Sequence, residues 1–77
     1  MVGTHIIKSV TFHENFISLH IDGKEIKFPI EKVSNKLVSA TDLQRKLFIV
    51  SPSGYGIHWP LIDEDLSVDA MLKIAGI

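Results

Sequence analysis

The pair Asp22-Gly23 constrains the fold of this chain most strongly, because apolar and polar residues alternate on both sides of it. Asp-Gly is typical of the two-residue turn of a β-hairpin. Residues 16–21 and 25–30 predict two strands, and counting outward from this turn pairs Ile21 with Lys24 first. Beyond this first pair, apolar side chains lie opposite one another. The opposed pairs are Ile21–Lys24, Leu19–Ile26 and Ile17–Phe28.

A second turn at Glu14-Asn15 extends this hairpin to three strands by pairing residues 5–12 with residues 16–21. Phe12 then lies opposite Ile17, and Val10 lies opposite Leu19, on the same apolar face. Such alternation predicts an antiparallel sheet with one buried face and one face in water. The face in water collects Ser9, Thr11, Ser18, His20, Glu25 and Lys27.

The next segment predicts helices and a second hairpin. Apolar residues recur at helical spacing over residues 30–40 and predict a helix there. Thr41 and Gln44 have the spacing of a capping box, which predicts a second, short helix from Asp42. Residues 47–51 and 55–59 predict two more strands, joined by a turn at residues 52–54. The helical residues are Ile30, Val33, Leu37 and Ala40, and the hairpin pairs are Val50–Ile57 and Phe48–Trp59.

Residues 61–65 show no period and predict a loop, and Ser67 is a good N-cap for a closing helix that Gly76 would end. One apolar stripe on that helix contains Val68, Met71, Leu72 and Ala75. The predicted fold class is α+β, in β-β-β-α-β-β-α order. We expect a small antiparallel sheet of about five strands with the helices on one face, in a single domain over residues 1–77.

Composition argues against several classes of function. The 77 residues include eight basic and nine acidic side chains, a net charge of −1 that is a poor footprint for binding nucleic acid. No Cys is present, so no disulfide and no Cys-based zinc site is expected. No apolar run approaches the roughly 20 residues that span a bilayer, and the N-terminus lacks a signal-peptide core. We therefore expect a cytoplasmic protein with no membrane partner.

The densest group of functional side chains lies between the tip of the second hairpin and the closing helix. Trp59 is expected in the core, whereas its neighbours on the strand and in the acidic run are expected at the surface. The three acids could favour the helix dipole, dock a basic partner or hold Mg²⁺. The predicted partner-binding residues are Tyr55, His58, Asp63, Glu64 and Asp65.

Other candidate chemistry finds little support in the sequence. The four His residues have no metal-pair spacing, and Gly54 with Gly56 lacks the rest of a phosphate loop. No Ser or Thr has the context of an activated nucleophile. Arg45, the sole Arg, is expected at a solvated surface position more than in a bidentate grip on a carboxylate. No catalytic residue, cofactor or metal site is predicted, and a small metal-dependent hydrolase is the least favoured function.

Several motifs resemble those of the domain of unknown function 2442 family over nearly the whole chain. One departure is Ser34-Asn35, where the resemblance leads us to expect a Pro. The most specific motif is the last hairpin with the acidic run, namely Gly54-Tyr55-Gly56-Ile57-His58-Trp59-Pro60, then Asp63-Glu64-Asp65-Leu66-Ser67 and Leu72. Upstream matches are Ile7-Lys8-Ser9-Val10, Asp22-Gly23-Lys24, Pro29-Ile30 and Ala40-Thr41-Asp42-Leu43-Gln44-Arg45.

This resemblance implies a bacterial interaction module. Similar proteins are often encoded beside another small uncharacterised family, in an arrangement that looks like a toxin–antitoxin pair, which implies a protein partner and an antitoxin-like role. The alternative is a nucleic-acid-binding or regulatory domain. Nucleic acid would bind on the polar sheet face, which offers Lys27 and His20 but no aromatic residue for stacking. Self-association through open sheet edges is a further expectation.

Overall fold

The computed structural model describes residues 5–76, which form an α+β fold with two three-stranded antiparallel sheets and four short helices. The described residues form three strands, then three helices and three more strands, and last a helix. The elements are β1 (Ile7–His13), β2 (Phe16–Ile21), β3 (Lys24–Pro29), α1 (Ile30–Val33), α2 (Asn35–Val38), α3 (Asp42–Lys46), β4 (Ile49–Val50), β5 (Gly56–Trp59), β6 (Glu64–Ser67) and α4 (Val68–Ile74).

The first sheet has the order β1-β2-β3 and the predicted register. Its turns need left-handed backbone, which Glu14 and Asp22 adopt with φ of 53° and 50° and Gly23 with φ of 81°. These values explain the Asp-Gly pair, because positive φ at both central residues matches the twist of the flanking strands. The confirmed pairs are Leu19–Ile26, Ile17–Phe28, Phe12–Ile17 and Val10–Leu19.

The polar face of this sheet is less uniform than predicted. Ser18 was expected in water but is buried, because it is a small residue on the central strand between Thr11 and Lys27. Its Oγ has no hydrogen-bond partner among the described residues. Strand alternation also assigns Phe16 to this face, and its ring is exposed. The expectation that this face has no aromatic residue is therefore wrong.

The second sheet corrects the prediction of a single sheet of about five strands. Its order is β4-β5-β6, and it contains a sixth strand that begins inside the predicted loop of residues 61–65. The chain turns back after Pro60, with Asp63 in left-handed backbone at a φ of 50°. This turn pairs β6 with β5 in the register Ile57–Leu66, His58–Asp65 and Trp59–Glu64.

Trp59 lies where the two sheets meet, and it is fully buried as predicted. The Phe12 ring of the first sheet lies 6.3 Å from the Trp59 ring, and the Phe48 ring beside β4 lies 6.2 Å from it. The indole Nε1–H donates to the Arg45 carbonyl oxygen at 3.0 Å, so the polar atom of the indole is satisfied. The core around it includes Ile17, Leu19, Phe28, Ile30, Leu37, Ile57, Val68 and Met71.

The helices follow their capping residues. The predicted helical run of residues 30–40 is divided at Ser34, which is extended and caps α2 by accepting from the Leu37 N–H at 3.1 Å. The capping box of Thr41 and Gln44 is confirmed at α3, and the Ser67 cap is confirmed at α4. No described helix has the length and apolar character needed to cross a bilayer.

Candidate functional site

A groove lies across the face of the second sheet that is turned away from the core. Side chains alternate between the two faces along a strand, so Ile57 and Trp59 of β5 lie on the core face and Gly56 and His58 lie on this outer face. Their β6 partners on the outer face are Ser67 and Asp65. The groove has a volume of about 510 Å³. We call it the outer groove, and we define it by Ile49, Tyr55, Gly56, His58, Asp65 and Ser67.

The floor of the outer groove is formed by small residues. Gly56 lies opposite Ser67 in the β5–β6 pairing, so this position of the sheet carries one hydroxyl group and no larger side chain. The Ser67 Oγ accepts from the Ala70 N–H at 3.2 Å as the cap of α4. The open space on this face therefore results from the small side chains at this position, one of which, Ser67, also caps α4.

Apolar side chains form one side of the outer groove. Ile49 is 60% exposed and Tyr55 is 50% exposed, and both line the same groove. The backbone of Tyr55 is held on both sides, since its N–H donates to the Ser51 Oγ at 3.0 Å and its carbonyl accepts from the Val68 N–H at 2.9 Å. Tyr55 is thus presented to solvent from a fixed position.

His58 and Asp65 form the polar part of the outer groove. They lie opposite each other on β5 and β6, and His58 Nδ1 is 2.7 Å from Asp65 Oδ1. A carboxylate only accepts, so the imidazole donates from Nδ1, and a neutral ring then has an acceptor at Nε2. The Asp65 side chain is 78% exposed, so the pair is accessible from solvent.

The structure separates the three acids of the predicted site. Asp65 joins Tyr55 and His58 in the outer groove. The half-buried Glu64 is turned toward the core side, where its Oε2 accepts from the Ser34 Oγ at 2.5 Å. Asp63 lies in the turn before β6, and its carbonyl accepts from the Lys36 Nζ at 2.8 Å. Within residues 5–76 there is no group of three His, Asp or Glu side chains that could hold a metal ion.

A cluster around His5 was not predicted from the sequence. His5 Nδ1 lies 2.8 Å from Asp22 Oδ2, and Nε2 lies 2.7 Å from Asp69 Oδ1. The hydrogen bond to Asp22, followed by that to Asp69, raises the pKa of His5 above its ordinary value of 6.5. The Ile6 N–H, which donates at 2.9 Å, is the main cause of a lowered pKa for Asp22. No local sequence signal announces this cluster, because 17 and 64 positions separate the partners.

Arg45 was expected at a solvated surface position, and it is half-buried instead. Its Nε–H donates to the Leu37 carbonyl at 3.0 Å, and a terminal N–H donates to the Val38 carbonyl at 3.3 Å. The guanidinium carbon lies 5.3 Å from the centre of the Phe12 ring. Arg45 therefore satisfies carbonyls at the end of α2 and packs on an aromatic face, and within residues 5–76 it forms no ion pair with a carboxylate.

A family model described as "Protein of unknown function (DUF2442)" matches residues 7–76, which confirms the resemblance that the motifs indicated. None of the curated proteins matches the chain, and none of the solved structures matches it. The description of the family contains no activity. The function has to be argued from the groove and its residues.

Proposed function

The chain belongs to the family described as protein of unknown function (DUF2442), and we propose that it is a non-enzymatic module that binds a protein partner at the outer groove. The observation that carries this proposal is the combination on one sheet face of two exposed apolar side chains, Ile49 and Tyr55, with the accessible His58–Asp65 pair. Apolar area beside a few directed polar groups is the usual composition of an interface centre.

The apolar side of the outer groove supplies affinity. Covering Ile49 and Tyr55 removes apolar surface from water, at about 25 cal/mol for each Å² that becomes buried. Tyr is enriched among the residues that dominate interface energies. The two backbone hydrogen bonds of Tyr55 hold its main chain before binding, so less conformational entropy is lost when a partner covers it.

The polar side of the outer groove defines the chemistry of the partner. Among the described residues that line it, none is Lys or Arg, and Asp65 contributes an exposed carboxylate. Charge complementarity favours a partner segment in which a Lys or Arg is flanked by apolar residues. The basic group would bond to Asp65, and the apolar side chains would cover Ile49 and Tyr55.

The family resemblance supports a more specific form of this proposal. The partner would be the product of a neighbouring gene, and the chain would act as an antitoxin-like protein by covering a functional surface of that product. Self-association through β6 receives less support, because the Asp65 N–H is bonded to Glu64 Oε1 at 3.0 Å and is not free to pair with another strand.

Affinity measurements on surface variants test the proposal. The partner is first identified by recovering the tagged chain from cells of its own organism, and it is then purified. Calorimetry with the purified partner should show binding at least about tenfold weaker for Tyr55→Ala and for Asp65→Lys, which corresponds to about 1.4 kcal/mol.

Two matched variants control for unspecific effects of these changes. Leu43→Ala removes an apolar side chain that is 65% exposed on α3, and Glu25→Lys reverses an exposed charge on β3. Both residues lie outside the outer groove. We expect wild-type affinity for both control variants. Equal losses in the control and groove variants, or no loss in the groove variants, would contradict binding at the outer groove.

A further inference from the structure

His5 joins three segments that are distant in the sequence. Its backbone N–H donates to the Ser53 carbonyl at 3.0 Å in the loop between β4 and β5. Its ring nitrogens bond to Asp22, in the turn between β2 and β3, and to Asp69, in the first turn of α4. The side chain is only 13% exposed, so these partners replace most of its water.

Two of these segments form the rim of the outer groove. Ser53 lies two residues before Tyr55, and Asp69 lies two residues after Ser67, which lines the groove floor. Gly54 packs directly against His5, because a Cβ at that position would overlap the His5 carbonyl oxygen. The Val68 N–H to Tyr55 carbonyl bond then connects the β4–β5 loop to the start of α4. His5 is therefore connected to the groove rim by direct contacts.

The protonation state of the ring decides how many of its bonds can form. Carboxylates only accept hydrogen bonds, and a neutral imidazole has one N–H. Only the imidazolium can donate to Asp22 and Asp69 together, whereas the neutral ring directs a lone pair at one of them. We propose that His5 is a proton-operated latch, whose protonated form holds the β4–β5 loop and the start of α4 in position and whose neutral form releases one of its two carboxylates.

The charged groups around His5 determine that the latch is closed at low pH and opens as the pH rises. Among the residues that the structure describes, the ionisable groups facing His5 are Asp22 and Asp69, Lys24 lies near Asp22, and the β4–β5 loop contributes backbone groups. The two hydrogen bonds raise the pKa of His5, so its stabilisation is complete below the ordinary value of 6.5 and is lost as pH rises through the raised value. Each unit by which the pKa is raised corresponds to about tenfold in the latch equilibrium.

The consequence for partner binding rests on the proposed function, since the latch would then loosen the binding surface at alkaline pH. The test of the latch itself needs no partner. Nuclear magnetic resonance of the whole chain follows the His5 ring and the exchange of the Val68 amide between about pH 6 and about pH 9. We expect the ring to titrate above 6.5 and the Val68 amide to lose protection, relative to core amides, through the same titration.

Variants separate the latch from general effects of pH. Urea unfolding midpoints should fall with rising pH in the wild type and in the exposed control His13→Gln, and should fall less steeply over this range in His5→Gln, which keeps the separate His58–Asp65 pair. If His5→Gln does not fold, Asp69→Asn serves instead, because it keeps the bond to Asp22 and should lower the His5 titration midpoint.

An unchanged pH slope in His5→Gln, or an unchanged His5 titration in Asp69→Asn, would overturn the latch. Neither result involves a partner, so the proposal of binding at the outer groove would stand or fail separately. Conversely, a confirmed latch with no effect of Tyr55→Ala on affinity would retain the latch and reject the outer groove as the binding surface.

Discussion

At the residue scale, Trp59 connects the two sheets because aromatic rings from both sides pack on it. Phe12 reaches it from the first sheet and Phe48 from the segment before β4, while its indole N–H bonds to the Arg45 carbonyl. This position was predicted from the pairing of the second hairpin. The contact with Phe12 was not predicted, since it joins separate sheets, and strand pairing gives no information about how two sheets stack.

Replacing Trp59 with Ala should therefore destabilise the fold by roughly 3–5 kcal/mol, because the change leaves a large cavity at the junction of the sheets. Urea unfolding monitored by circular dichroism measures this loss. Tyr55→Ala is the matched control, since its ring is 50% exposed and it should change the stability by less than about 1 kcal/mol. A similar loss for both variants would show that Trp59 is not the junction of the core.

Gly54 is a second residue with a specific structural requirement. It has a φ of 70° and also packs against His5, so any residue with a Cβ at this position would strain the backbone and overlap the His5 carbonyl oxygen. Gly23, with a φ of 81°, provides the matched comparison, because a Cβ at that position would have no neighbouring side chain or backbone within 4 Å. We expect Gly54→Ala to cost at least about 1 kcal/mol more unfolding free energy than Gly23→Ala, whose cost is strain alone. Equal costs would contradict the close packing at His5.

At the scale of elements, the first sheet was predictable and β6 was not, for a physical reason. Turn chemistry and alternation act within a few residues, so they determine the register of β1, β2 and β3. The strand Glu64–Ser67 has one apolar residue, Leu66, and exists because it pairs with β5. A strand whose stability comes from its neighbour leaves little periodicity in its own sequence.

This unpredicted strand places two adjacent acids on opposite faces of the second sheet. Glu64 accepts from the buried Ser34 hydroxyl, whereas Asp65 is exposed in the outer groove. Glu64→Gln should preserve most of the stability, and Glu64→Ala should lower it by about 1–2 kcal/mol because Ser34 loses its acceptor. Asp65→Ala should stay within about 0.5 kcal/mol of the wild type. Thermal unfolding of the three variants decides this, and a larger loss for Asp65→Ala than for Glu64→Ala would reverse the assignment.

At the scale of the whole molecule, the outer groove and the His5 cluster are connected through the β4–β5 loop and the start of α4. The β4–β5 loop and the start of α4 form the groove rim, and both are bonded to His5. Three of the five predicted site residues, Tyr55, His58 and Asp65, meet in the groove. The sequence could not place the His5 cluster, since only the tertiary fold brings Asp22 and Asp69 together.

Amide hydrogen exchange on the chain, free and bound to its purified partner, tests binding at the outer groove most directly. The proposal predicts that binding increases protection at residues 49–50, 55–58 and 65–67, which carry or flank the exposed side chains of the groove. Residues 24–27 of β3, on the first sheet, should exchange at the same rate in both states. Protection confined to the polar face of the first sheet, with none at residues 55–58 or 65–67, would contradict the account.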